Sequence, residues 1–423
     1  MHYLGNKTRY LDPIVSAVTD LTPPARTVLD LFAGSGVVSR ELAHYRPVLA
    51  VDIQAYSAVL ASALSHPRRY DLPARRQIIA TALRWLEQVR PSVSALLEYE
   101  SAITNGALDD PQRFAMLVEH GSIASLDGTD LDHAHAKTTA QPALRAAGAT
   151  ITRYYGGVYF SYAQALDLDA LLFAIGHGPT TPSDSTLVAS ILGTASDLVA
   201  TVGSHFAQPT RLRDKLGNAK PNAVAQVVRA RERPAIEAFE RWLQKYSDLD
   251  PVKNTCTAIT SDFRTVLNTL DDSVGAIYAD PPYTRDHYSR FYHVLETIAL
   301  GDDPGITLSP GTNAPSRGLY RTSRHQSPFS IRSEVDNAFD AVFSAAYDRN
   351  IPLVLSYSPQ GGGTRARPET RLMTIERIVQ RANEQFRSVE IRTIDDSSHS
   401  RFNRTELHGN VPTHAEVLVI ARP

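Results

Sequence analysis

Val28-Leu29-Asp30-Leu31-Phe32-Ala33-Gly34-Ser35-Gly36 decides how the rest of the chain is read. Its first five residues are an almost unbroken apolar run, the pattern of a strand buried on both faces of a parallel sheet. Ala33 to Gly36 breaks that run with two glycines, and Val37 to Tyr45 follows as a helix candidate. Val48-Leu49-Ala50-Val51-Asp52-Ile53 is a second apolar run ending around an acid. Strand, glycine turn, helix and acid-ended strand form the opening of a doubly wound nucleotide-binding sheet.

Outward from this opening the pattern changes and then returns. Residues 65–250 carry helical spacing with interspersed alanines, as in Ile78 to Val89 and Ser185 to Phe206, broken by Gly-, Pro- and Thr-rich loops. Near Cys256 the α/β pattern resumes. Ala276 to Ala279 and Leu353 to Tyr357 are strand candidates, and Val389 to Ile394 with Ala415 to Ile420 read as a closing pair. One sheet with a large insertion explains this better than two independent halves. The expected fold class is α/β: a Rossmann-like sheet from residues 1–64 and 251–423, with a mainly helical domain inserted at 65–250.

Composition narrows the function classes. The 423 residues are 43% hydrophobic, enough for a sizeable core, and no apolar run is long enough to span a bilayer. A polar N-terminus without a signal-peptide pattern and a single cysteine, Cys256, fit a cytoplasmic, bacterial or archaeal protein with no disulfide and no Cys-based zinc site. The fourteen histidines lack metal-ligand spacing, so no metal is expected, and His133 and His135 read as surface residues. The formal net charge of −2 gives a nucleic-acid partner no support, so any such partner requires local basic patches.

The glycine turn lets backbone approach a ligand without a Cβ in the way, and Asp52 is placed to accept ribose hydroxyls. The third glycine of a dinucleotide fingerprint and the Lys-Ser/Thr of a phosphate loop are both missing, which favours S-adenosylmethionine over phosphate-bearing cofactors. Asp30 can orient the turn or meet an ammonium group.

Asp280-Pro281-Pro282-Tyr283, directly after an apolar strand, carries the chemistry. An exocyclic amine on a nucleobase is a poor nucleophile because its lone pair is delocalised into the ring. Two acceptors aimed at its two N–H bonds favour the tetrahedral geometry that attack requires. Asp280 can supply one through its side chain and Pro281 the other through its carbonyl. The two prolines fix successive φ angles and so hold that carbonyl in place. Tyr283 can stack on an extruded base.

In this order the chain resembles the Dam-like, alpha-type DNA adenine methyltransferases, and among them the FokI-type modification branch. Tyr3-Leu4-Gly5-Asn6-Lys7 is similar to the family's N-terminal cofactor-contacting motif, which implies Tyr3, Asn6 and Lys7 as cofactor residues. Asp30, Phe32, Ala33, Gly34, Ser35 and Gly36 resemble its cofactor loop, Asp52-Ile53 its ribose-binding position, and Ser261-Asp262-Phe263 the segment beside the cofactor adenine. His287 to His293, including Tyr288, resembles the aromatic segment after the catalytic motif, while Leu355 to Ser358 and Ser400 to Phe402 echo later motifs. The resemblance implies site-specific methylation of the adenine amine in duplex DNA by base flipping, the insertion serving target recognition. A restriction-modification or phage-defence setting, with or without a cognate endonuclease, is implied too. The residues alone leave open the cytosine amine and a catalytically idle DNA-binding protein on the same scaffold.

Two basic stretches offer DNA contacts. Residues 211–233 hold seven Lys/Arg against two acids, and residues 304–333 hold Arg317, Arg321, Arg324 and Arg332 with no acid. A smaller group is Arg365, Arg367 and Arg371. The aromatic cluster Tyr154 to Tyr162 reads as core packing rather than base stacking.

Overall fold

The computed structural model describes residues 7–201, 205–282, 285, 288–309, 311, 314–358, 363–364, 367–368, 371–394 and 416–423. Two compact units emerge. A sheet unit is built from Leu4–Pro67, Asp250–Tyr288 and His325–Pro423, and a helical unit from Arg68–Leu249 and Ser289–Arg324. The segment 289–324, which the sequence reading placed with the sheet, thus packs with the helices.

The sheet unit contains β1 (Thr27–Asp30), β2 (Val48–Asp52), β3 (Cys256–Thr260), β4 (Val274–Ala279), β5 (Leu353–Tyr357), β8 (Ser388–Ile394) and β9 (Glu416–Arg422), while β6 (Gly363–Thr364) and β7 (Arg367–Pro368) form a separate two-stranded ribbon. The sheet order is β3-β2-β1-β4-β5-β9-β8, parallel from β3 through β5 and antiparallel at β9 and β8. The chain runs outward from β1 to β2 to β3, then returns to β4 on the other side of β1. The strand order therefore reverses between β1 and β4, where doubly wound sheets bind ligands at their carboxyl ends.

Both faces of the central strands β2, β1, β4, β5 and β9 are covered, which is why these strands read as continuous apolar runs. Val28, Ala50, Tyr278, Val354 and Leu418 pack under the helices Leu11–Thr19 and Val37–Leu42. Leu29, Val51, Ile277, Leu355 and Val419 pack under Val335–Asp348 and Ile375–Asn383. The alternation of these two sets along each strand is the pleat itself.

In the helical unit the aromatic cluster is core, with Tyr155, Phe160 and Tyr162 fully buried. Glu100 and Arg231 form a buried ion pair at 2.9 Å, and the other Glu100 oxygen accepts from the Tyr162 amide. His133 departs from the surface reading. It is buried, stacked on Tyr99 at 4.4 Å and hydrogen-bonded to the Tyr162 hydroxyl at 2.8 Å. The helix Leu131–Ala146 turns residues 133, 137, 140 and 144 onto one buried face, and that face contains no large apolar residue before Leu144 to announce it.

Burial pushes His133 down to about 3. Between pH 6.5 and 3 the unfolded chain therefore binds a proton at this position that the folded chain does not, so its contribution to stability falls as pH falls. Replacing His133 with Gln should remove up to about 1.4 kcal/mol of acid sensitivity per pH unit below 6.5. Urea unfolding of both proteins at pH 7 and pH 5 checks this, and parallel stabilities across that range would refute it.

Candidate active site

The site is built at the carboxyl ends of β1, β2 and β4. Leaving β1, the chain turns through Gly34 at φ +52° and Gly36 at φ +76°, left-handed conformations that favour glycine. A Cβ on Gly36 would lie 2.6 Å from the Ala61 Cα, so the turn is also pressed against the helix Ala55–Ser65. The end of β2 holds this turn from the other side. Asp52 accepts from the Gly34 amide through one oxygen and from the Gln54 amide through the other, each at 2.9 Å. The Ser57 hydroxyl donates to the Gly34 carbonyl at 2.6 Å, and the Ala33 amide to the Val51 carbonyl at 2.9 Å. Backbone amides and strand-end carboxylates are thereby fixed around one loop.

Asp30 ends β1 fully buried. The Ser39 hydroxyl donates to its Oδ2, while Oδ1 has no hydrogen-bond partner among the described residues. Burial, reinforced by the neighbouring carboxylates of Asp280 and Asp52 against the pull of Ser39, pushes Asp30 up to about 7. Asp52 is likewise raised by burial, against its amide donors. Such a cluster calls for a cation. An orphaned buried carboxylate oxygen beside a loop that would reject a Cβ suits a ligand bearing sulfonium and ammonium charges, so these residues fit S-adenosylmethionine.

Asp280 follows β4, and Pro281 is buried behind it. The Lys7 ammonium lies 3.1 Å from Asp280 Oδ1 and 2.6 Å from Glu416 Oε1, with all three side chains largely buried. The Ser356 hydroxyl donates to the same Glu416 oxygen at 2.6 Å. Burial opposes the charge on Lys7, but the carboxylates of Asp280 and Glu416 outweigh it and hold the ammonium well above its ordinary range.

On the opposite face Phe32 packs on Phe263 at 5.7 Å and edge-on to Phe329 at 5.2 Å. Asp262 caps the helix Phe263–Asn268 by accepting from the Arg264 amide at 2.9 Å. His325, next in the chain to Arg324, is lowered by burial against the opposing fields of Asp262 and Asp52, which places it near the strand-end acids. Ser35 and Ile53 are half-buried beside the loop. Tyr3, Asn6, Tyr283, His287, Arg365 and the Ser400 to Phe402 motif lie outside the described residues.

Residues 3–91 and 215–350, more than half of the chain, match the D12 class N6 adenine-specific DNA methyltransferase family. The chain belongs to this family. Among curated relatives, the type II methyltransferase M.FokI of Planomicrobium okeanokoites is 38% identical over 87 residues, covering 20% of this chain and 12% of that protein. The modification methylase LlaI of Lactococcus lactis subsp. lactis is 22% identical over 363 residues, covering 85% of this chain and 46% of that protein. The matched regions thus span less than half the length of either relative.

In this D12-class chain, the arginines that follow Asp280-Pro281-Pro282 divide sharply. Arg317 is exposed in the helical unit, and Arg332 is exposed in the sheet unit. Arg324 is half-buried and stacks on Tyr320 at 4.9 Å, with Arg290 5.6 Å from the same ring. Arg321 departs from the DNA-facing reading: it is buried and paired with Asp302 at 2.7 Å. The pairing of Ile306 with Arg321 turns this residue inward, and its acid partner lies just before the acid-free stretch 304–333. Tyr288 is half-buried and opens the helix Tyr288–Phe291.

Within residues 211–233, Arg213 pairs with Glu119 at 2.9 Å, Arg231 with Glu100, and Arg233 donates to the Asp197 carbonyl, so part of this basic stretch is spent on the fold. Glu416 was not recognised in the sequence as a site residue. Its signal was a lone acid opening the apolar run Val417 to Ile420.

Proposed function

We propose that this D12-class protein transfers a methyl group from S-adenosylmethionine to the N6 amine of adenine in double-stranded DNA. The observation that carries the reading is the position of Asp280. It leaves the sheet at the strand-order reversal, beside the glycine turn and the Asp30 carboxylate, whose Oδ1 has no hydrogen-bond partner among the described residues. The family match favours adenine over cytosine.

S-adenosylmethionine supplies an electrophilic methyl group when bound. Asp30, Phe32, Ala33, Gly34, Ser35, Gly36, Asp52, Ile53, Asp262 and Phe263 would hold it, together with Tyr3, Asn6 and Lys7 of the N-terminal motif. The Asp280 carboxylate and the Pro281 carbonyl accept from the two N–H bonds of the target amine. Its nitrogen thereby becomes more tetrahedral, with its lone pair directed away from the ring. Pro281 and Pro282 hold this backbone rigid, and Tyr283 stacks on the flipped base.

The helical unit serves target recognition. Arg317, Arg324 and Arg332, with Tyr288, contribute DNA contacts, whereas Arg321 supports the fold. The names of M.FokI and LlaI suggest a restriction-modification setting in which an endonuclease is a functional counterpart.

Incubating the purified chain with unmethylated plasmid and S-adenosylmethionine, then analysing the nucleosides by mass spectrometry, tests this reading. N6-methyladenine is the expected product. N4-methylcytosine, or no methylated base, would overturn it. Replacing Arg317 and Arg332 with Ala should weaken duplex binding and lower the slope of log affinity against log salt by about one per lost phosphate contact.

A further inference from the structure

The polar network behind Asp280 is assembled from distant parts of the chain. Lys7 lies ahead of the helix Leu11–Thr19, Ser356 near the end of β5, and Glu416 at the start of β9. Because β9 runs antiparallel to β5, its first residue reaches the edge of the sheet where β4 and β5 end. Ser356 and Glu416 each lie two residues along from Val354 and Leu418, on the face covered by Leu11–Thr19. A buried Glu on this face requires compensation, which Lys7 and Ser356 provide at 2.6 Å each.

A structural ion pair needs only one acid. Here the Lys7 ammonium is shared between Glu416 and the proposed catalytic carboxylate, bonding one oxygen of Asp280 at 3.1 Å. The same cation that pairs with Glu416 is thus also in contact with Asp280.

We infer that Glu416, supported by Ser356, is a positioning residue for methyl transfer: it anchors the Lys7 ammonium, which holds the Asp280 carboxylate ionised and in one orientation. The inference rests on the methyltransferase reading. Among the described residues, the groups whose fields reach Asp280 include Lys7, Asp30 from β1 and Tyr278 from β4, with Asp52 beyond Asp30 and Glu416 acting through Lys7. Tyr278 is held far above its ordinary value by burial and stays neutral. Asp30 titrates near 7 and is common to all variants, so the displacement of the pH profile between variants is the readout.

The test is single-turnover methylation of plasmid DNA by the full chain from about pH 5 to pH 9, with wild type, Glu416→Gln, Ser356→Ala, Lys7→Met and the double variant Lys7→Met/Glu416→Gln. Glu416→Gln should slow transfer roughly tenfold while DNA KM and S-adenosylmethionine affinity change by less than about twofold. Ser356→Ala should do the same to a lesser degree, and it keeps the inference testable if the Gln variant does not fold. Lys7→Met leaves two carboxylates facing one another, so the acidic limb should move up by about one pH unit.

Adding Glu416→Gln to Lys7→Met removes the second carboxylate and should return most of that displacement. A merely structural role would instead lower the melting temperature and leave the limb in place. Wild-type transfer rates in both Glu416→Gln and Ser356→Ala would overturn the inference, as would a Lys7→Met limb that coincides with wild type. If the wild-type chain methylates DNA, either result sinks the inference alone. If it does not, the methyltransferase reading fails first.

Discussion

Asp280→Ala should slow methyl transfer by between about a hundredfold and ten-thousandfold, the range that a positioned acceptor contributes to proton-coupled chemistry. The loss belongs to the chemical step. Asp280 lies beyond the end of β4, whereas the loop from Ala33 to Gly36 is fixed by Asp52 and by the approach of Ala61. Cofactor affinity should therefore stay within a few-fold of wild type, and it should rise if anything, because removing one carboxylate lowers the pressure on Asp30 to take up a proton. The Lys7 ammonium keeps Glu416 as a partner at 2.6 Å, so no buried charge is stranded and the fold should survive. Isothermal titration with S-adenosylmethionine and single-turnover methylation, run on the same preparation, separate these effects. Unchanged transfer would contradict the mechanism, and lost cofactor binding would place Asp280 in the cofactor site.

Gly36→Ala should cost about 2–5 kcal/mol of stability and abolish cofactor binding at ordinary concentrations. Two penalties add. A side chain at φ +76° is strained, and its Cβ would meet the Ala61 Cα at 2.6 Å. That neighbour is helix backbone, which cannot swing aside as the tip of a flexible side chain can. Relief requires moving either the Ala55–Ser65 helix or the turn itself, and the turn carries the amide that Gly34 donates to Asp52.

Gly148→Ala is the control. Its φ of +69° imposes similar strain, but a Cβ there meets nothing within 4 Å. It should cost only about 1 kcal/mol and leave cofactor binding intact. Denaturant unfolding and cofactor titration of both variants check the contrast, and equal costs would mean that packing against Ala61 is unimportant.

β1, β2, β4, β5 and β9 coincide with runs that stand out as apolar segments, because strands covered by helices on both faces are apolar throughout, whereas β8 at the sheet edge alternates Val389 and Ile391 with Glu390 and Arg392 and is mostly half-buried. The glycine turn was readable because left-handed backbone leaves a compositional mark. β3 was less distinct: Cys256 to Thr260 is only partly buried at the sheet edge, and its residues are accordingly mixed. The aromatic cluster from Tyr154 to Tyr162 could be assigned to the core because tyrosines and phenylalanines beside glycines bury well as a group.

By itself the amino-acid sequence determined the elements whose signals are local: the strands, the turn at Gly34 and Gly36, and the rigid Asp280-Pro281-Pro282 segment. Only tertiary structure decided which charges are spent. Arg321 and Arg317 are four residues apart in one basic stretch, yet pairing across 306 and 321 buries the first against Asp302 and leaves the second exposed. His133 is core although the nearest residues on its helical face are Ala136, Lys137 and Ala140, which no hydrophobic period reveals. Glu416 joins Lys7 across 409 positions because an antiparallel last strand returns its first residue to the edge where Asp280 stands. Local backbone preference acts over a few residues and is written into each segment, whereas the partner of a buried charge is set by strand order and direction, which belong to the chain as a whole.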